Sequence, residues 1–203
     1  MDATAGNARG MDEDLRAELI KWIAEDDETR ERLARDGSLF EGYNPEMEAV
    51  HRRNAARLRE VLARVGWPGR ALVGDDGASA AWRIVQHAIG EPALLRGCLP
   101  LLQAAAAEGE ADPAEVAMLE DRIRVYEGRP QRYGTQYDWS DDGTAMVPEV
   151  GVEAPESLAE RRAAVGLPPM QWRRPPPPDA RPPADRAARQ AEREAWERRV
   201  GWR

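Results

Sequence analysis

From Ala78 to Ile89 the chain is apolar almost all the way round a helix. At about 100° per residue, Ala78, Ala81, Trp82, Val85, Ala88 and Ile89 cover one broad face, while Ala80 and Ile84 lie opposite. A helix with no polar side does not belong at a surface, so this segment predicts a central helix wrapped by others. Its exceptions, Ser79, Arg83, Gln86 and His87, fall in a single stripe. Polar groups on a buried helix need partners or a pocket. Gln86 and His87 therefore stand out first.

The segments on either side supply the wrapping. Leu15, Leu19, Trp22 and Ile23 recur at helical spacing after the acids Asp12, Glu13 and Asp14, predicting a helix to about Arg35 with a stop at Gly37. Asn44–Pro45 reads as an N-cap followed by Pro at the first helical position, and the apolar face from Met47 to Val65 ends at Gly66. Trp67–Pro68–Gly69 predicts a sharp turn, and Ala71–Val73 a short apolar link before the central helix. Pro92 opens a fourth helix that closes near Gly109, and Asp112–Pro113 caps a fifth that ends at Gly128.

Beyond Gly128 the pattern changes. Tyr133–Trp139, an Asp/Gly turn and Thr144–Val147 predict a β-hairpin, followed by a short helix over Ser157–Val165. Pro175–Pro178, Pro182 and Pro183 predict a stiff extended linker, and the charged segment Asp185–Trp202 a helix with a weak apolar stripe. The expected fold is mainly α: a compact helical domain over residues 12–170 with one small β-hairpin. Residues 1–11 form a flexible N-terminus, and 171–203 a Pro/Arg-rich linker and charged tail helix.

Charge is unevenly spread. Residues 173–203 carry nine Arg against five acids, about +4, so a total of −8 leaves about −12 on the rest. An acidic body argues against nucleic-acid binding. Cys98 is the one cysteine, which excludes an internal disulfide and a thiolate zinc cluster. The opening residues lack an apolar core of the signal-peptide kind, and the apolar stretch around Leu94–Ala107 is too short to span a bilayer. A soluble cytoplasmic protein without membrane contact is expected.

Four constellations carry chemistry. His87 with Gln86 offers an imidazole that titrates near neutrality, or a core histidine bonded to a neighbouring carbonyl. Asp121–Arg122 offers a carboxylate to orient His87 and a guanidinium to hold an anion, or an ordinary helix-surface pair. In Gln131–Gln136, if extended, Gln131, Tyr133 and Thr135 share one face, and Gly134 admits a close approach. Arg161–Arg162 either reaches an anionic ligand or binds hairpin carbonyls. His51, beside Arg52 and Arg53, reads as a surface or packing residue. With two histidines and no spacing motif, neither a metal nor a cofactor is expected.

Several of these residues form a composite pattern. Trp67–Pro68, Gly74, Ala80–Ala81–Trp82, Gln86–His87–Ala88, Asp121–Arg122, Gln131, Tyr133–Gly134–Thr135–Gln136 and Arg161–Arg162 with Val165–Gly166–Leu167 resemble the bacterial DUF6624 family. The resemblance runs from about Asn44 to Pro169. It implies a soluble, mainly helical domain with a small β element and carries no established activity.

Two functional expectations follow. The first is a polar pocket for a small polar or anionic ligand, serving metal-independent hydrolysis or group transfer. His87 would be its acid/base centre, with Gln86, Gln131, Tyr133 and Gln136 orienting the ligand, Asp121 orienting His87, and Arg122 or Arg162 supplying positive charge. It requires His87 and Gln136 at the mouth of one concave pocket; if they lie apart or are sealed inside the core, the second expectation is favoured. The second is a non-catalytic interaction module, whose His/Gln cluster fixes helix register and whose tail recruits a protein partner.

Overall fold

The computed structural model describes residues 10–40, 42–177 and 180–203. Seven α-helices and one hairpin follow in order: α1 (Glu13–Asp36), α2 (Pro45–Val65), α3 (Arg70–His87), α4 (Pro92–Ala107), α5 (Pro113–Tyr126), β1 (Tyr137–Trp139), β2 (Met146–Pro148), α6 (Leu158–Ala164) and α7 (Arg186–Val200). The mainly α class with one β-hairpin is the one the sequence predicts. Local chemistry sets the starts. Asp12 Oδ1 accepts from Leu15 N at 3.0 Å, Asn44 Oδ1 from Glu46 N at 2.9 Å, and Asp112 Oδ1 from Ala114 N at 2.8 Å. Each satisfies a donor that the first helical turn leaves open.

α3 is the central helix. It packs against α1, α2, α4 and α5, and Ala78, Ala80, Ala81, Ile84 and Val85 are all buried. Leu15, Leu19, Leu58, Leu95, Leu102 and Leu119 close the core around it. The expected link at Ala71–Val73 is instead a helical turn, and α3 begins at Arg70. Gly74, at φ 71°, kinks the helix there, a left-handed backbone angle that L side chains rarely adopt. Asp76 steadies the kink by taking both Arg16 Nε, at 2.8 Å, and Arg16 Nη2, at 2.7 Å, from α1.

The hairpin is shorter than expected. β1 and β2 pair antiparallel with Tyr137 opposite Pro148 and Trp139 opposite Met146. Residues 131–136 lie ahead of it as a loop, so the alternation of faces expected there does not apply. The tail folds back on the helical body. Trp202 is 3% exposed and joins the core, its Nε1 donating to the Ile89 carbonyl at 2.7 Å and its ring stacked on Tyr126. No helix among the described residues is long and apolar enough to cross a membrane.

Candidate functional site

α1 presents Leu15, Leu19 and Ile23 to the core, and the next place on that stripe is Asp26. It is 1% exposed. His51 from the buried face of α2 and His87 from the last turn of α3 converge on it. His87 Nδ1 hydrogen-bonds Asp26 Oδ1 at 3.1 Å. His51 Nε2 lies 3.1 Å from Asp26 Oδ2, without the angle of a hydrogen bond, and has no hydrogen-bond partner among the described residues. The other ring nitrogen, Nδ1, meets the Tyr43 hydroxyl at 2.8 Å. The two imidazoles are 5.5 Å apart, centroid to centroid.

The electrostatics of this cluster are opposed. Burial alone would push the Asp26 carboxyl up, but the two imidazoles outweigh it and hold the group below the usual carboxylate range. Burial pushes His87 down, against the pull of Asp26. Burial also pushes the Tyr43 phenol up, so it remains an O–H at neutral pH. The His87 side chain keeps 23% of its surface accessible, against 10% for His51. His87 is thus the open side of the cluster.

Tyr43 connects the cluster to a cavity of about 820 Å³ that α7 walls off. Trp196 stands edge-on to Tyr43 at 5.3 Å and to Tyr126 at 5.9 Å, while Arg186, Arg193 and Trp139 complete the wall nearby. Neither His87 nor Gln136 is among the residues lining this cavity, so the shared pocket mouth expected of them is not met here, and of the cluster only Tyr43 reaches the wall.

The stripe on α3 finds its partners in consecutive acids of α1. Arg83 pairs with Asp27 as His87 does with Asp26. Gln86 is buried. Its Nε2 donates to the Met118 carbonyl at 3.5 Å, and its Oε1 has no partner among the described residues. Arg122 joins this helix end to the loop, with Nη1 on the Gln86 carbonyl and Nε on Gln136 Oε1, both at 3.1 Å. Gln86, Arg122 and Gln136 are therefore joined by hydrogen bonds, with His87 next to Gln86 in the chain.

Asp121 does not orient His87; that place belongs to Asp26. The Asp121 carboxylate, fully buried, instead accepts from Arg132 N at 2.7 Å, Tyr133 N at 3.1 Å, Thr135 N at 3.0 Å and Thr135 Oγ1 at 2.9 Å. Gln131 spans the same loop, donating to the carbonyls of Gln136 and Glu149 at 2.8 Å and accepting from Gln136 N at 2.7 Å. Arg162 donates to the carbonyls of Pro168, Tyr133 and Gly134, so the Arg pair takes the hairpin-side alternative and binds backbone. Tyr133 lies half-buried on this loop, with Arg132 5.8 Å from its ring.

Sequence reading missed Asp26 and left His51 open between surface and packing, of which the structure takes the buried alternative. Both carried a signal. Asp26 falls three residues after Ile23 and seven after Leu19, an acid on an apolar stripe. His51 lies four residues after Met47 and four before Ala55, on the inward face of α2 rather than its surface.

Residues 13–174 match the model of a family described as a family of unknown function, DUF6624. Neither the curated proteins nor the solved structures yield a match. The match stops before α7, the helix that walls the cavity beside Tyr43.

Proposed function

The chain belongs to that family, and we propose that it is an enzyme for hydrolysis or group transfer on a small polar or anionic ligand, centred on Tyr43, His51, Asp26 and His87. One observation carries this reading: a single buried carboxylate on α1 is shared by two imidazoles, one from α2 and one from α3. Packing does not ask for it, since the neighbouring places on α1 are filled by Leu19 and Ile23. Burying such groups costs stability that a purely structural core avoids. Clustered, mutually perturbing titratable groups are a common mark of functional sites.

In this reading Asp26 orients the half-open His87 and supports its charged form, and His87 moves a proton on the ligand. Arg122 brings positive charge to the same helix end, and Gln86 and Gln136 orient what binds. Ligand binding should be sought by a thermal-shift screen of small metabolites against wild type and His87→Ala. A compound that raises the wild-type midpoint and leaves the variant's unmoved supports the reading. A compound that stabilises both proteins equally does not act at this centre.

The second reading is an interaction module. Its support is that Asp121, Gln131 and Arg162 all bond loop backbone, as a network for holding shape would, and that neither His87 nor Gln136 lines the cavity. It expects His87→Ala to cost stability with no lost ligand, and a partner captured by the full chain to be lost on charge reversal along the exposed face of α7.

A further inference from the structure

We propose that Asp26, His51 and His87 form a binding site for one divalent transition-metal ion of the zinc class. The inference goes beyond the acid–base reading: it puts a cation where that reading needs only a proton, and it stands whether or not the chain is an enzyme.

The donor set is the first argument. One donor atom from each of the three residues lies within 4.8 Å of the others, and each residue comes from a different helix of the core. Zinc binds imidazole nitrogen and carboxylate oxygen at about 2.0–2.2 Å, so donors around a shared ion sit roughly 3–4 Å apart. Each imidazole has that spacing to one oxygen of the carboxylate, His51 Nε2 to Oδ2 and His87 Nδ1 to Oδ1, both at 3.1 Å. His87 is the most accessible of the three and has freedom to close the remainder.

The second argument is the orphaned nitrogen. His51 Nε2 is buried and 3.1 Å from a carboxylate oxygen, yet makes no hydrogen bond among the described residues. A buried ring nitrogen left unsatisfied is costly. The Tyr43 hydroxyl lies 2.8 Å from Nδ1 and can donate or accept there, so the tautomer of the ring sets what Nε2 presents. When His51 donates its Nδ1–H to the Tyr43 oxygen, Nε2 carries a lone pair 3.1 Å from Asp26 Oδ2. A lone pair and a carboxylate facing one another at this distance repel, unless a cation lies between them. Fixing one ring nitrogen by a hydrogen bond so that the other can ligate is how metal-binding histidines are commonly held.

The third argument is selectivity. Two imidazoles and one carboxylate suit zinc, cobalt, nickel or iron. Calcium and magnesium demand shells of oxygen, and this site offers a single carboxylate. Three protein donors also leave a coordination position free, and the accessible edge of His87 is where solvent reaches the cluster.

The test uses the full chain, stripped with chelator and titrated with Zn2+ and Co2+ by calorimetry, with bound metal counted by elemental analysis. One equivalent per chain is expected, with a visible Co2+ absorption band of low-coordinate type and no uptake of Mg2+. Asp26→Asn and His51→Gln should each weaken binding by tenfold or more, on the order of what loss of a supporting partner costs. Tyr43→Phe, which keeps all three donors, should weaken it by about tenfold to a hundredfold at unchanged stoichiometry. Should the buried variants fail to fold, His87→Gln at the accessible rim replaces them. Wild type that takes up no ion overturns the site, and so does uptake that folded Asp26→Asn or His87→Gln leaves unchanged. Turnover that survives metal stripping keeps the acid–base reading and removes the metal from it. Uptake without any turnover does the reverse.

Discussion

Asp26 and Asp121 are both buried carboxylates, 1% and 0% exposed, and they do opposite things. Asp121 faces backbone N–H groups and a hydroxyl of one loop, donors that cannot titrate near neutrality and cannot leave. Burial wins there and pushes its carboxyl up. Asp26 faces two imidazoles, partners that exchange protons and bind metals, and its carboxyl is held down. Burial of an acid therefore says little by itself. Whether its partners are fixed or exchangeable separates a structural clasp from a reactive centre.

The largest effect expected from this contrast comes at Asp121. Asp121→Ala strands four donors in the interior, and unfolding in urea should show a loss of about 3 kcal/mol or more. Metal binding at Asp26, His51 and His87 should fall only as far as the folded fraction does. If Asp121→Ala proved as stable as wild type, the clasp reading would be wrong.

Asp26→Asn should reverse the pattern. The side chain keeps its shape, so the loss of stability is expected near 1–2 kcal/mol, while binding at the histidine cluster collapses. Equal losses of stability in the two variants would erase the distinction between the regions.

A smaller effect belongs to the loop that Asp121 holds. Gly134 sits at φ 65°, and a Cβ there would meet Met170 Cε at 2.8 Å. Gly134→Ala should cost about 1–2 kcal/mol from the left-handed backbone alone. Adding Met170→Ala should remove most of the steric share, leaving the backbone share and the Val152 contact at 3.2 Å, as a double-mutant cycle would resolve.

The smallest effect is at an acid that is not buried. Asp76 is held by Arg16, and its carboxyl lies lowered from 3.8 to about 2. A depressed folded-state value means its contribution is complete above 3.8 and disappears as pH falls toward 2. Solvent screens the pair, so the slope of stability against pH should flatten only slightly in Asp76→Asn. A flattening larger than that seen for Asp26→Asn would mean surface pairing, and not the core, governs acid sensitivity.

The helices, their caps and the place of α3 were legible because they depend on near neighbours. Apolar periodicity, Asn44–Pro45 and Asp112–Pro113 act within a turn or two of themselves. The hairpin was legible for the same reason, though three-residue strands proved shorter than the extended run from Tyr133 suggested. Residues 131–136 escaped because their conformation is imposed by Asp121 and Arg162, eleven or more residues away in sequence.

At the candidate site the sequence by itself determined that His87 and Gln86 would stand out, since a polar stripe on a helix apolar all round must be answered by something. What answers it was decided only by tertiary packing. Asp26 and His87 are 61 residues apart and meet because α1 and α3 lie side by side, which sets Asp26 against the stripe and leaves Asp121 facing the loop. A carboxylate's reach is a few ångströms, and local pattern fixes which face a residue takes but not which other face it meets.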